Sequence, residues 1–526
     1  MSTKKRFFNI AGPCVPGKHY MLDPFRGIGD ELMGLIGQEQ YFVIHAARQS
    51  GKTTLLWELT DSINAKGDYY ALYCSLEAVR EFTEPEKGIP AIVKEIKRCA
   101  KNQGLPEGFA KTAEYDDITG VLNESFTDYC RLLDKPLVLF FDEADCLSNG
   151  TLVTFLRQLR SGYVSRPRVP FVHSLALVGL RNLRDYTARV RPDVETLGSA
   201  SPFNIVTESL NLRNFTKMEV SELYAQHTTE TGQIFELQTI DYIFEKTQGQ
   251  PWLVNAVARE CVEKICKNDH KIPITQEMAE TAVNTMILTR PTHVDSLLRK
   301  LKEPRIRKVI EPLILGGETV AKSTDDYLYA RDLGLIRDDR GMSEPANPIY
   351  AELIVRFLSE EPQESLENRY KEFTAPRYIK NGKMDVDFLI SDFQTYWREN
   401  SEIWRNRYET ELYQYVEAAP HLVMQAFLQK VINSGGKITR EMAIGTMRAD
   451  LCVEYDGHKY PIELKILHNK KSYDDGVRQT AEYMDKVGAD KGWLVIFDRD
   501  TEKCWDEKIY MKKETVNGKD VVVAGC

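Results

Sequence analysis

The sequence predicts a multidomain α/β protein, and three observations carry that prediction. An apolar run, Tyr41-Phe42-Val43-Ile44, leads into Ala46-Ala47-Arg48-Gln49-Ser50-Gly51-Lys52-Thr53-Thr54 and then into the helix-like Leu55-Leu56-Trp57-Glu58-Leu59. Apolar strand-like runs alternate with helical patterns as far as residue 290, the order of a parallel sheet covered by helices. Near the C-terminus Asp456-Gly457 joins two alternating runs, a strong short-range hairpin signal. At 526 residues the chain exceeds what one core can organise, so about three or four domains are expected.

The first element is strand, tight loop, helix, the setting that a phosphate-binding P-loop of pattern G-x-x-x-x-G-K-[ST] requires. Small residues let backbone N–H groups wrap an anion at a helix start, a lysine reaches the β- and γ-phosphates, and a hydroxyl holds Mg²⁺. Lys52 and Thr53 fit those two roles, with Ala47, Arg48, Gln49, Ser50, Gly51 and Thr54 completing the cradle. Ala46 stands where the pattern has Gly, and would carry a steric cost at positive φ.

Composition limits the alternatives. Hydrophobic content of 42% with 28% charged residues is that of a soluble globular chain. There is no run of eighteen apolar residues, and Met1 to Phe8 lacks an apolar core, so a cytoplasmic protein without a membrane partner is expected. The ten cysteines contain no C-x-x-C; Cys261 and Cys266, in a helical pattern, read as buried thiols. A net charge of −9 argues against a protein that coats nucleic acid with its whole surface, while leaving room for a local basic groove.

Following the P-loop, Tyr69 to Cys74 is strand-like, Ile89 to Ala100 and Ile118 to Leu133 are helical, and Pro136 to Phe141 is a continuous apolar run of the kind buried on both faces. That run ends in Asp142-Glu143-Ala144-Asp145, a Walker B pattern, in which Asp142 would hold Mg²⁺ through water and Glu143 would polarise the attacking water. The next strand, Phe171 to Leu180, leads to Arg181 and Asn182, candidates for a γ-phosphate sensor. The arginines between Arg181 and Arg191 could include a finger acting on a neighbouring subunit, which leaves a homo-oligomer open. After Asn204 to Val206 come three helical patterns, and Gly249-Gln250-Pro251 ends one helix and starts the next. This turn, together with Arg48 to Leu56, resembles the AAA-like, STAND-related ATPases, and the resemblance implies that Pro251 helps sense the nucleotide.

From Pro291 to Leu358 the order is helix, Gly334 cap, strand, Asp338 to Gly341 turn and return strand, which is winged-helix order. Ala346 to Tyr350 resembles the same ATPase family. The recognition-helix position carries Asp325, Asp326 and Asp332 against Arg331 alone, which suits a lid or tether better than a duplex reader. The acidic stretch Ser359 to Glu364 then reads as a linker running to residue 387. The expected divisions are a P-loop core over 1–210, a helical lid over 211–290, a winged-helix-like module over 291–358 and a C-terminal α/β domain over 388–526.

That last domain opens with a helical region, Phe388 to Asn433, whose stripe of Tyr396, Trp397, Trp404, Tyr408, Leu412 and Tyr415 reads as core. A two-residue type I′ turn at Asp456-Gly457 makes opposed residue numbers sum to 913. Leu451 then faces Ile462 and Val453 faces Tyr460, giving an apolar face; on the other, Glu454 meets Lys459 and Asp450 meets Glu463. Two carboxylates that close repel unless a cation lies between them, and Lys465 shares their face. Asp450 and Glu463 therefore form a candidate Mg²⁺ site with a lysine beside it. Asp450 with Glu463-Leu464-Lys465 resembles the PD-(D/E)XK nuclease superfamily, which has a restriction-endonuclease-like fold. The resemblance implies a further acid from the first helix, for which Glu417 is the best-placed match, and a glutamine on the helix after the hairpin, Gln479.

The expectation is thus an ATP- and Mg²⁺-binding P-loop ATPase, joined through a winged-helix-like module to a nuclease-like domain acting on nucleic acid, DNA before RNA. Two other readings stand beside it. One is a nucleotide-dependent signalling switch whose nuclease-like domain only binds nucleic acid or a protein; the other is a winged-helix regulator, weakened by its acidic helix.

Overall fold

The computed structural model describes residues 6–110, 118–179, 205–315, 320–339, 341–369, 375–380, 382–408, 418–432, 437–442, 449–467, 470–498, 500, 502–516 and 518–526. The chain divides into two compact units, Met1–Leu288 with Asp332–Gly334, and Thr289–Arg331 with Leu335–Cys526.

The first unit begins with α1 (Gly29–Gly37), β1 (Tyr41–His45), α2 (Lys52–Lys66), β2 (Tyr70–Ser75), α3 (Pro85–Asn102), α4 (Val121–Leu132), β3 (Leu137–Asp142), α5 (Asn149–Ser165), β4 (Ser174–Gly179) and β5 (Val206–Asn211). The strands form one sheet in the order β2-β3-β4-β1-β5, and each neighbouring pair is parallel. Side chains alternate across it, as the period of two requires. Phe42 and Ile44 of β1 join Leu55, Leu56 and Leu59 of α2 in one core layer, whereas Tyr41 and Val43 join Ile92, Phe126 and Phe155 in the other. Strands covered on both faces explain why these runs read as continuously apolar.

The same unit continues as α6 (Lys217–Thr231), α7 (Leu237–Thr247), α8 (Pro251–Arg259) and α9 (Gln276–Thr289), with a π-helical segment at Glu260–Ile265. Cys261 and Cys266 are buried thiols, as their helical setting predicts. The N-terminal segment packs on these helices: Phe8 and Tyr20 are buried against Tyr224, His227 and Phe235.

The second unit contains α10 (Thr292–Leu298), α11 (Pro304–Leu315), α12 (Asp325–Asp332), the antiparallel pair β6 (Ile336–Asp339) and β7 (Met342–Pro345), and α13 (Pro348–Arg369). Gly334, at φ 76°, ends α12 as expected. The linker expected after Leu358 is different in its backbone: α13 runs on through the acidic stretch and Pro362 to Arg369. Buried Ile349, Tyr350, Leu353 and Ile354 anchor its first half, and an anchored helix propagates readily into glutamate-rich sequence.

Beyond β8 (Ile379–Lys380) and β9 (Lys383–Met384) come α14 (Val386–Tyr408), α15 (Ala418–Ile432), β10 (Lys437–Met442), β11 (Ala449–Tyr455), β12 (His458–Leu467), α16 (Lys470–Val487), β13 (Lys491–Asp498), α17 (Trp505–Lys508), β14 (Tyr510–Val516) and β15 (Lys519–Gly525). The six strands from β10 onward form a mixed sheet in the order β10-β11-β12-β13-β15-β14, parallel only at β12-β13 and β13-β15. Tyr396 and Trp397 of α14 lie in the core with Phe427, Ile462 and Phe497, as the stripe predicted for those two; the side chains of Trp404, Tyr408, Leu412 and Tyr415 lie outside the described residues.

Candidate functional site

The P-loop lies between β1 and α2, at the carboxyl edge of the sheet. Its chain reversal uses positive φ at Gln49 (57°) and Gly51 (98°), and Ala46 keeps negative φ. The steric cost expected at Ala46 therefore does not arise there; the left-handed turn falls on Gln49, three residues later. Lys52 is buried, and its ammonium donates to the Ala46 and Ala47 carbonyls at 2.8 Å each. Burial lowers its pKa, against the opposing pull of Asp142, Glu143 and Asp145. A buried ammonium whose hydrogen bonds among the described residues go to neutral carbonyls is a site that gains when an anion arrives.

The two residues assigned to Mg²⁺ meet directly: the Thr53 hydroxyl donates to Asp142 Oδ2 at 2.7 Å. The same oxygen accepts the Tyr73 hydroxyl at 3.1 Å, and Oδ1 accepts the Glu143 N–H at 2.9 Å. Burial first, then Asp142, holds the Tyr73 phenol far above its ordinary range, so it is a neutral donor. Glu143 adopts φ 54° and lies 3.8 Å from Arg80; its pKa is raised by burial and then by Asp145 and Asp142.

The remaining predicted residues are placed as follows. Ser50 is buried, and its carbonyl accepts from the Arg26 guanidinium at 3.1 Å. Thr54 turns its hydroxyl to the Cys14 N–H at 3.0 Å, so it is engaged by the N-terminal segment. Pro251 occupies the first turn of α8, behind Gly249, whose φ is 68° and where a Cβ would come within 1.9 Å of the Phe215 carbonyl oxygen. The adjacent Trp252 donates its ring N–H to the Ile10 carbonyl at 2.9 Å. Arg181 and Asn182 lie outside the described residues, as does Glu417.

In the second unit the hairpin has the register read from its turn. Leu451 pairs with Ile462, Val453 with Tyr460 and Glu454 with Lys459, and Asp456 and Gly457 both take positive φ, at 47° and 74°. Those signs are the ones a type I′ turn demands. Asp450 is the residue before Leu451 in β11, paired on its other side with Glu441; its side chain lies outside the described residues.

Glu463 and Lys465 share a face of β12 with Leu494 and Ile496 of the parallel neighbour β13, and α16 covers that face. Lys465 donates to the Gln479 side-chain oxygen at 2.6 Å, so the lysine and the glutamine expected on the following helix meet. Gly476 allows the close approach, since a Cβ there would be 3.1 Å from Leu494 and 3.6 Å from Lys465 Cδ. Glu463 is 1% exposed, and its Oε2 has no hydrogen-bond partner among the described residues. A buried carboxylate oxygen with open lone pairs fits a cation. Among the described residues no group of three or more His, Cys, Asp and Glu is arranged to hold a metal.

Sequence reasoning missed Tyr73, Arg80 and Arg26. Tyr73 left a faint signal, a hydroxyl inside an otherwise apolar strand; the two arginines left none, because their partners are set by loops that only folding brings together. No helix of the described residues is long and apolar enough to cross a membrane.

A family model described as an AAA-like domain matches residues 36–355, more than half of the chain, and a second, described as a domain of unknown function (DUF8371), matches residues 378–501. No curated protein matches. Among solved structures, the chain is similar to the Walker-type ATPase PABY2304 of Pyrococcus abyssi, at 13% identity over 66% of this chain and 99% of that one, TM-score 0.46. It is also similar to Cdc6p from Pyrobaculum aerophilum, at 15% identity over 65% and 95%, TM-score 0.37. A third is the Thermotoga maritima RuvB Holliday junction branch migration motor, at 12% identity over 63% and 93%, TM-score 0.34.

Proposed function

The chain belongs to the AAA-like domain family, and from that premise we propose that it is a nucleotide-binding ATPase whose nucleotide state controls a Mg²⁺-dependent nuclease-like domain. Nucleotide binding follows from the P-loop fold. ATP is the expected nucleotide, with its phosphates against Lys52 and the loop from Ala47 to Thr54, and Thr53 and Asp142 toward Mg²⁺. Glu143, beside them, would orient the attacking water.

The observation that carries the second half is the grouping on β12 and α16: a fully buried Glu463 with an open oxygen, and Lys465 hydrogen-bonded to Gln479. The register runs from Tyr455–His458 to Leu451–Ile462, and carried on by one position it would bring Asp450 opposite Glu463. Asp, Glu-x-Lys and a following glutamine make the pattern of the PD-(D/E)XK nucleases, whose chemistry is hydrolysis of nucleic acid phosphodiesters. Asp450 and Glu463 would hold Mg²⁺, which when bound supplies an activated water and a counter-charge for the phosphate. Lys465 would hold that water or neutralise the transition state, with Gln479 fixing its ammonium.

Purified full-length protein, given Mg²⁺ and a panel of DNA and RNA with and without ATP, is expected to cleave at least one of them. Asp450→Ala and Glu463→Gln should each lower cleavage at least a hundredfold. An Asp450→Ala variant that cuts as well as the wild type rejects the nuclease assignment. Binding without cleavage in the wild type would leave the switch reading in its place.

A further inference from the structure

The catalytic edge of the sheet contains a residue with no role in the scheme above. Tyr73 lies on β2, which among the described residues is an edge strand paired with β3. Its peptide group is clamped from the open side by Gln103 at the end of α3: the Tyr73 N–H donates to Oε1 at 3.0 Å and Nε2 donates to the Tyr73 carbonyl at 2.6 Å. The side-chain amide thus stands in for a missing neighbouring strand. The ring meets Trp57 of α2 edge-on, with centroids 6.2 Å apart and planes at 87°. Backbone and ring are both held, and what they aim is the hydroxyl on Asp142.

Among the described residues Asp142 accepts from three donors: Thr53 and Tyr73 on Oδ2, and the Glu143 N–H on Oδ1. A threonine hydroxyl that offers an oxygen lone pair to a metal keeps its O–H for the carboxylate, so Tyr73 would be a second donor on Oδ2 beside Thr53. We propose that Tyr73 is a positioning residue for the metal of the nucleotide site, holding Asp142, together with Thr53, in the orientation that would receive a Mg²⁺-bound water. This rests on the reading of Thr53 and Asp142 as the Mg²⁺-ATP residues. Outer-shell partners of this kind typically change metal affinity by about ten- to a hundredfold.

The test is calorimetric titration of the full-length protein with ATP, once with Mg²⁺ and once with EDTA. Tyr73→Phe keeps the ring and removes only the hydroxyl. It is expected to leave metal-free ATP affinity within about twofold of wild type, while the gain from Mg²⁺ falls about tenfold. Trp57→Phe, which disturbs the packing and keeps the hydroxyl, is expected to retain the full Mg²⁺ gain. An unchanged Mg²⁺ gain in Tyr73→Phe, or an equal loss in Trp57→Phe, overturns the proposal. A Lys52→Ala variant that binds ATP like the wild type would instead overturn the underlying nucleotide site, and the proposal with it.

Discussion

At the level of single residues, each assigned role depends on one or two atoms. Glu143 sits next to Asp142 but is turned by its left-handed backbone toward Arg80, so adjacent carboxylates are sent to different partners. That separation predicts distinct phenotypes. Glu143→Gln should retain ATP binding and lose turnover by about 10²- to 10⁴-fold if Glu143 orients the water as proposed, because only that carboxylate is removed. A steady-state ATPase assay beside an equilibrium binding measurement checks it, and an equal loss of binding and turnover would contradict it. Much of this candidate site's geometry was legible in the order of residues: Lys52, Thr53 and Asp142 are consecutive or strand-terminal, and the roles proposed for them follow from type and spacing. Tyr73 and Arg80 were not, because a hydroxyl in an apolar strand and an arginine after it gain meaning only from the three-dimensional neighbour.

Elements have their own constraints. Gly249 closes α7 at φ 68°, against the Phe215 carbonyl, and Phe215 donates its N–H to the Gly249 carbonyl at 2.9 Å. Gly249→Ala should destabilise the helical part of the first unit by on the order of 2–4 kcal/mol, through both backbone strain and collision. Urea unfolding would show it, and a loss below about 0.5 kcal/mol would contradict the geometry. At the start of α6, Thr216 and Glu219 form a reciprocal capping box, and Arg213 grips Glu219 through two nitrogens at 2.7 and 2.8 Å. The Arg213 hydrogen bond is the main reason the Glu219 pKa falls to about 2, from an ordinary 4.5. Its stabilising effect is therefore full above the unfolded value and disappears as pH falls through the folded one. Glu219→Gln should cost about 1 kcal/mol at neutral pH, given partial exposure, and should flatten the loss of stability between those two values. Denaturant melts of both proteins across that window measure the difference. The hairpin, by contrast, was readable to the residue, since a two-residue turn leaves a single register.

For the whole molecule, the prediction concerns communication between two chemistries some four hundred residues apart in sequence. If nucleotide state governs the second unit, Lys52→Ala should abolish the effect of ATP on cleavage without removing metal binding that depends on Glu463. Cleavage rates at saturating and zero ATP, in wild type and variant, give the answer; an ATP effect that survives Lys52→Ala would place the control elsewhere.

The sequence by itself determined the local chemistry: the P-loop, the acid-terminated strand, the Asp-Gly hairpin and its register, and the alternation that makes a parallel sheet. Each of these is written in nearest-neighbour spacing, because backbone geometry with periods of two and 3.6 turns spacing into position. Only the tertiary structure decided which distant side chains share an atom. It put Tyr73 and Thr53 on one oxygen of Asp142, Gln479 on Lys465, and Gln103 on the open edge of β2. It also ran α13 through the expected linker. Those outcomes depend on long-range packing, in which many residues compete for the same partner, and no local pattern records which one wins.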